Sequence, residues 1–176
     1  MGAVLPALMP GAVERIVLGF GDIAVRPLRL DDRAAYCRFL GRLAPEDVRL
    51  RMGRLIRLDR KLCVRLLEFD RSREEAFVAL DAAGAILGVG RIVLDAGPGD
   101  DRAEIAVIVR SDMKHRGIGE ALLGRLLRFA RASGLAEICG YVMHENRPML
   151  SLARKHGGRF VDAPLSSLVE LRFPTA

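Results

Sequence analysis

The chain has 176 residues, 51% of them hydrophobic, with 28 Lys and Arg against 22 Asp and Glu and a net charge of +6. That length supports one well-buried core and falls short of two ordinary domains. The basic balance favours an anionic ligand, while 5% aromatic content and no Trp leave few stacking platforms and disfavour a nucleic-acid surface.

No apolar run reaches the roughly 18 residues of a membrane span. The opening MGAVLPALMPGAVERI lacks a basic leader, and Pro6 and Pro10 interrupt it, so it is not read as a signal peptide. Pro6 also stands where a myristoylation signal needs Ser or Thr. Cys37, Cys63 and Cys139 are far apart, in apolar surroundings and without CxxC or Cys/His spacing. They are read as buried free thiols of a cytoplasmic protein.

Residues 1–20 are read as an extension or a first strand, and 21–176 as the domain proper. IAVRPLRL, residues 23–30, alternates at strand length, and Asp31-Asp32 offers an N-cap for a helix through Leu40. Ala44-Pro45-Glu46 begins a second helix, and Asp59 caps a third whose Leu62, Cys63, Leu66 and Leu67 repeat at helical spacing. FVALD and ILGVGRIVLD form a hairpin turning through Gly84, and Ala96 to Asp100 connects it to the next strand.

The stretch AEIAVIVRSDMKHRGIGEALLGRLLR, residues 103–128, reads as strand, glycine-bearing loop and helix. A loop entering a helix in this way leaves N–H groups without partners at the positive end of the dipole, which suits a phosphate. No Gly-Lys-Ser/Thr follows, and the third glycine of the dinucleotide fingerprint is missing, so neither nucleotide hydrolysis nor dinucleotide binding is expected. After Ser133-Gly134 come a strand from Ile138 to Met143, a loop through Asn146 and Pro148, a short helix to Lys155, and two closing strands.

This order, with IAVRPLRLDD, AEIAVIVRSDMKHRGIGEALL and ENRPMLSLARKHGG, resembles the GNAT-type N-acetyltransferases and, within them, the catalytic domain of bacterial Pat-type protein lysine acetyltransferases. The resemblance implies an α/β domain with a mixed central sheet flanked by helices, and acetyl-CoA as cofactor. It implies that the main chain of Val107, Ile108 and Val109 pairs with the pantetheine arm. Lys114, His115, Arg116, Gly117, Ile118, Gly119 and Glu120 would then cradle the pyrophosphate, and Asn146 would contact the arm.

A lysine acceptor is protonated at pH 7, since its pKa is about 10.4, so a general base is needed. Glu104 is the lone carboxylate in an apolar strand, and partial burial is expected to raise its pKa. The resemblance points to the same residue, acting through water, with the Val109 N–H polarising the thioester carbonyl. Ala153 stands where many members carry an acidic tyrosine, and Tyr36 and Tyr141 lie elsewhere. The expected partners are a protein with an acceptor lysine or a small amine, with homodimerisation left open. No metal, nucleic acid or membrane is expected. A non-catalytic acyl-CoA-binding module is the alternative of another class.

Overall fold

Alternation along Glu14–Leu18 (β1) leaves Arg15 and Val17 exposed and turns Ile16 and Leu18 onto the core, so a strand begins within the first twenty residues. The computed structural model describes residues 13–53, 58–95, 101–162 and 167–175. The proline-bearing opening and the 96–100 connection lie outside the described residues. β1 pairs antiparallel with Gly21–Pro27 (β2), which leads through a 3₁₀ turn into Arg33–Leu40 (α1). Asp32 does not cap α1 with its side chain. Its carboxylate turns back to accept the Arg29 N–H at 2.8 Å and both guanidinium arms of Arg26 at 2.6 and 2.7 Å.

Pro45–Met52 (α2) and Arg60–Leu67 (α3) follow, the latter capped by Asp59, whose carboxylate accepts the Leu62 N–H at 2.9 Å. Glu74–Leu80 (β3) and Ile86–Leu94 (β4) form the expected hairpin. Next come Arg102–Val109 (β5), Ile118–Ala132 (α4), Glu137–Met143 (β6), Arg147–Lys155 (α5), Arg159–Asp162 (β7) and Leu168–Phe173 (β8). The strands form one sheet in the order β1-β2-β3-β4-β5-β6-β8-β7. Every adjacent pair is antiparallel except β5 with β6, where α4 supplies the crossover.

Helices cover both faces. Leu122, Leu123, Leu126 and Leu127 of α4 are sealed against Ile92, Ile105 and Ile138 on one face. Tyr36 and Phe39 of α1 and Leu67 of α3 pack on Val78 and Val89 on the other. Burying side chains of this size contributes roughly 1.5–3 kcal/mol each. Among the described residues, no helix is long and apolar enough to cross a membrane.

The cysteines depart from expectation. Cys37 of α1 and Cys63 of α3 form a disulfide with Cα atoms 5.8 Å apart, and only Cys139 is a free thiol. The two apolar contexts face each other across the α1–α3 contact, a proximity that a separation of 26 residues does not reveal. Cys37 and Cys63 are therefore not the free thiols expected from their spacing.

Candidate active site

β5 builds the site by parting from one neighbour. It runs beside β4 from Ala103 to Val109 but beside β6 only at Arg102, Ala103 and Glu104. The β4 ladder is bracketed by Asp95 N–H to Arg102 C=O at 3.0 Å and Arg110 N–H to Leu87 C=O at 2.8 Å. Hydrogen-bonded pairs alternate in an antiparallel ladder, so the even-numbered residues of β5, Ile108 among them, spend their main chain on β4. Val107 and Val109 direct theirs to the opposite edge, where β6 has diverged. That edge is open to an extended ligand.

Gly140 marks the parting of the strands, since a Cβ there would lie 3.0 Å from the Ile105 carbonyl. Beyond it a groove of about 420 Å³ runs between Val107, Val109, the first turn of α4 and Met149 of α5. At its far end the chain enters α4 through Gly117, whose φ of 88° suits glycine, and His115 holds a φ of 59°. The first bond of the helix is Ala121 N–H to Gly117 C=O at 3.0 Å, which leaves the N–H groups of Ile118, Gly119 and Glu120, three residues that line the groove, outside the helical ladder. The helix dipole adds partial positive charge there, so this end suits a phosphate group.

The loop's charges are distributed unevenly. Lys114 lines the groove while its ammonium bonds to Asp47 of α2, and His115 is exposed along the same wall. Arg116 does not line the groove; its guanidinium lies over the Phe20 ring at 5.6 Å. The Glu120 carboxylate is drawn to Lys155 at 2.7 Å, which offsets an acidic side chain at a phosphate-friendly helix start. Asn146 caps α5, accepting the Met149 N–H through Oδ1 at 3.2 Å, and its amide nitrogen remains for the groove it lines.

Glu104 sits at the last position where β5 and β6 pair, opposite Cys139, one residue before the gap. It does not line the groove itself. Among the described residues it has no hydrogen bond or ion pair, because its same-face neighbour Arg102 is engaged by Asp95, Glu137 and Glu170. A carboxylate left free beside a cleft is available for proton transfer through water.

Ala153 is fully buried in the α4-side core. Tyr141 is 46% exposed beside the gap, and its hydroxyl accepts from Arg102 at 3.0 Å; Tyr36 is buried. Burial pushes both phenols up, more than the nearby arginines pull them down. Cys139 is buried opposite Glu104 and its thiol is likewise pushed up by burial, which makes it a poor nucleophile.

The groove also contains residues that the sequence reading passed over. Asp47, Leu50 and Arg51 of α2 wall its other side, with Met113, Met149 and Leu152 adding apolar surface. The i,i+4 spacing of Asp47 and Arg51 in PEDVRLRM was the available signal that one face of α2 carries both.

A sequence model described as the Acetyltransferase (GNAT) family matches residues 48–158. Acetyltransferase PA5475 of Pseudomonas aeruginosa is 28% identical over 134 residues, covering 74% of this chain and 71% of that protein. The fold is similar to the GNAT domain of S. lividans PAT, with a TM-score of 0.85 and 23% identity over 95% of this chain and 99% of that one. It is also similar to Mycobacterium smegmatis RimJ in complex with CoA-disulfide, with a TM-score of 0.70 and 22% identity over 92% and 86% of the two chains.

Proposed function

Because the chain belongs to the GNAT family of acetyltransferases, which use acetyl-CoA, we propose that its β5 groove holds this cofactor and that Glu104 serves acetyl transfer to a primary amine. The observation that carries the reading is the open main-chain edge at Val107 and Val109. It leads from an unpaired carboxylate at one end to the free N–H groups of α4 at the other. The edge fits an amide-bearing arm, the helix start fits a pyrophosphate, and the Asn146 amide adds a donor between them.

When bound, acetyl-CoA supplies an acetyl thioester as electrophile. Glu104 receives the proton of the ammonium acceptor through water, and the Val109 N–H donates to the carbonyl oxygen at the diverging edge. Transfer is direct: Cys37 and Cys63 are joined and Cys139 is buried, so no thiol is placed to carry the acetyl group. No acid stands at Ala153, and a thiolate leaves without one.

A protein lysine is the first reading for the acceptor, supported by the likeness to the S. lividans PAT domain. A small amine is the second, supported by the charged residues that α2 brings to the groove.

Glu104→Gln tests the assignment. The variant is expected to bind acetyl-CoA as wild type does while its rate of thiol release falls by about 10²–10⁴-fold. Wild-type rates in this variant would remove Glu104 from the reaction.

A further inference from the structure

The guanidinium of Arg51 is a charged group of the groove wall that this mechanism leaves unused. Arg51 projects from the last turn of α2 and is half-buried. It lines the main groove, a small cavity against Gly140 and Tyr141 of β6, and a third beside Ala106 beneath α1. Val107 lines both the groove and the β6 cavity, and Ala106, two residues from Glu104, lines both the β6 cavity and the one beneath α1.

Three other arginines among the described residues are engaged. Arg49 is held by Glu46 and Glu145, Arg91 by Glu74 and the Leu66 carbonyl, and Arg102 by three carboxylates. Arg51 has no hydrogen bond or ion pair among the described residues, although Glu104 is the strongest attraction acting on it. Burial pushes its guanidinium down from the ordinary arginine value, with Arg91 adding repulsion, yet a guanidinium remains charged in a protein.

An uncompensated cation in a sheltered site is costly, and an incoming anion offsets that cost. Arg51 lines the groove and Glu104 stands beside it; they have opposite charge and attract one another without closing an ion pair. The arrangement is complementary to a zwitterion, with ammonium toward the carboxylate and carboxylate toward the planar fork.

We propose that Arg51 binds a carboxylate carried by the acceptor, so that the enzyme selects amines with a carboxylate close to the amino group. The proposal rests on the acetyl-transfer reading of the same groove. The carboxylate belongs either to a free amino acid or to an acidic side chain flanking an acceptor lysine.

The test measures thiol release from acetyl-CoA with matched acceptors. One arm compares L-amino acids with their carboxamides, and the other compares lysine peptides flanked by Glu with the same peptides flanked by Gln. Wild type is expected to favour the carboxylate form in one arm by roughly 10–100-fold in kcat/KM, the worth of a charge-assisted hydrogen bond. Arg51→Gln is expected to abolish that preference, and Arg51→Lys to keep part of it. The arm that shows the preference identifies the source.

Equal rates in both arms for wild type would overturn the proposal, as would a preference kept in full by Arg51→Gln. If no amine releases thiol, the acetyl-transfer reading fails separately. Calorimetric titration of the same acceptor pairs into the coenzyme A complex of wild type and Arg51→Gln then decides whether Arg51 binds carboxylate.

Discussion

The Lys114 ammonium and the Ser111 hydroxyl meet on the two oxygens of the Asp47 carboxylate, the latter at 2.5 Å, so α2 is fastened to the loop that enters α4. Ser111 Oγ in turn accepts the Ala44 N–H at 2.7 Å, which fixes the start of α2. Asp47→Ala leaves a hydroxyl and an ammonium without their acceptor and is expected to destabilise the fold by about 1–3 kcal/mol. In a double-mutant cycle by urea denaturation, adding Lys114→Ala to that background is expected to cost little more. Additive losses would show that the two side chains act independently.

Two glycines at the entry to α4 separate fold from ligand. Gly117 has a φ of 88°, and a Cβ there would lie 3.0 Å from Leu18 Cδ2, so Gly117→Ala is expected to lower stability by roughly 1 kcal/mol or more. Gly119 has ordinary geometry, and its added Cβ would stand 3.6 Å from Leu152 and Val109. Gly119→Ala is therefore expected to keep or raise Tm, while its methyl in the groove raises the acetyl-CoA Kd about tenfold, the equivalent of one lost hydrogen bond. Unchanged cofactor affinity would move the pyrophosphate away from this turn.

The Cys37–Cys63 link closes a loop of 26 residues that contains all of α2. By chain entropy, a loop of this length contributes about 3 kcal/mol, mainly by restricting the unfolded chain. Reduction with dithiothreitol is expected to lower Tm in wild type and to leave Cys37→Ser/Cys63→Ser unmoved. A reductant-insensitive Tm in wild type would mean that the bond contributes nothing to stability.

His156 follows α5 with Nε2 buried and, among the described residues, unbonded. Burial pushes the imidazole below its ordinary value; Glu120 pulls against it, and Lys155, Arg131 and Arg128 add smaller pushes downward. With the folded value below the unfolded one, near 6.5, the unfolded chain binds the extra proton first. Stability is therefore full above about pH 6.5 and declines as the pH falls below it. Scanning calorimetry from pH 7.5 to 5.5 is expected to show a steeper fall in Tm for wild type than for His156→Gln. Parallel curves would exclude the imidazole as the source.

Local chemistry explains what the sequence made legible. The apolar run of β5, the glycine-bearing loop and the leucine spacing of α4 are adjacent in the chain, so the phosphate-friendly helix start could be read directly. Glu104 was visible as a lone carboxylate in an apolar strand. The remaining features depend on partners far away in sequence. Lys114 meets Asp47 across 67 residues, Arg49 meets Glu145 across 96, and neither spacing carries a periodic signal. Arg51 shares α2 with Arg49, and only the placement of that helix against the groove separates the two. Asp32 looked like a helix cap until Arg26, on the preceding strand, proved to take its carboxylate.

The parting of β5 from β6 also affects how the backbone exchanges with water. In a sheet where β5 is otherwise bonded on both sides, the amide hydrogens of Val107 and Val109 lack a strand partner in the free protein. Deuterium then enters at two points in the middle of the domain, where a continuous sheet would be protected. A ligand lying along this edge acts as a ninth, short-lived strand, so its departure reopens the sheet without unfolding anything around it.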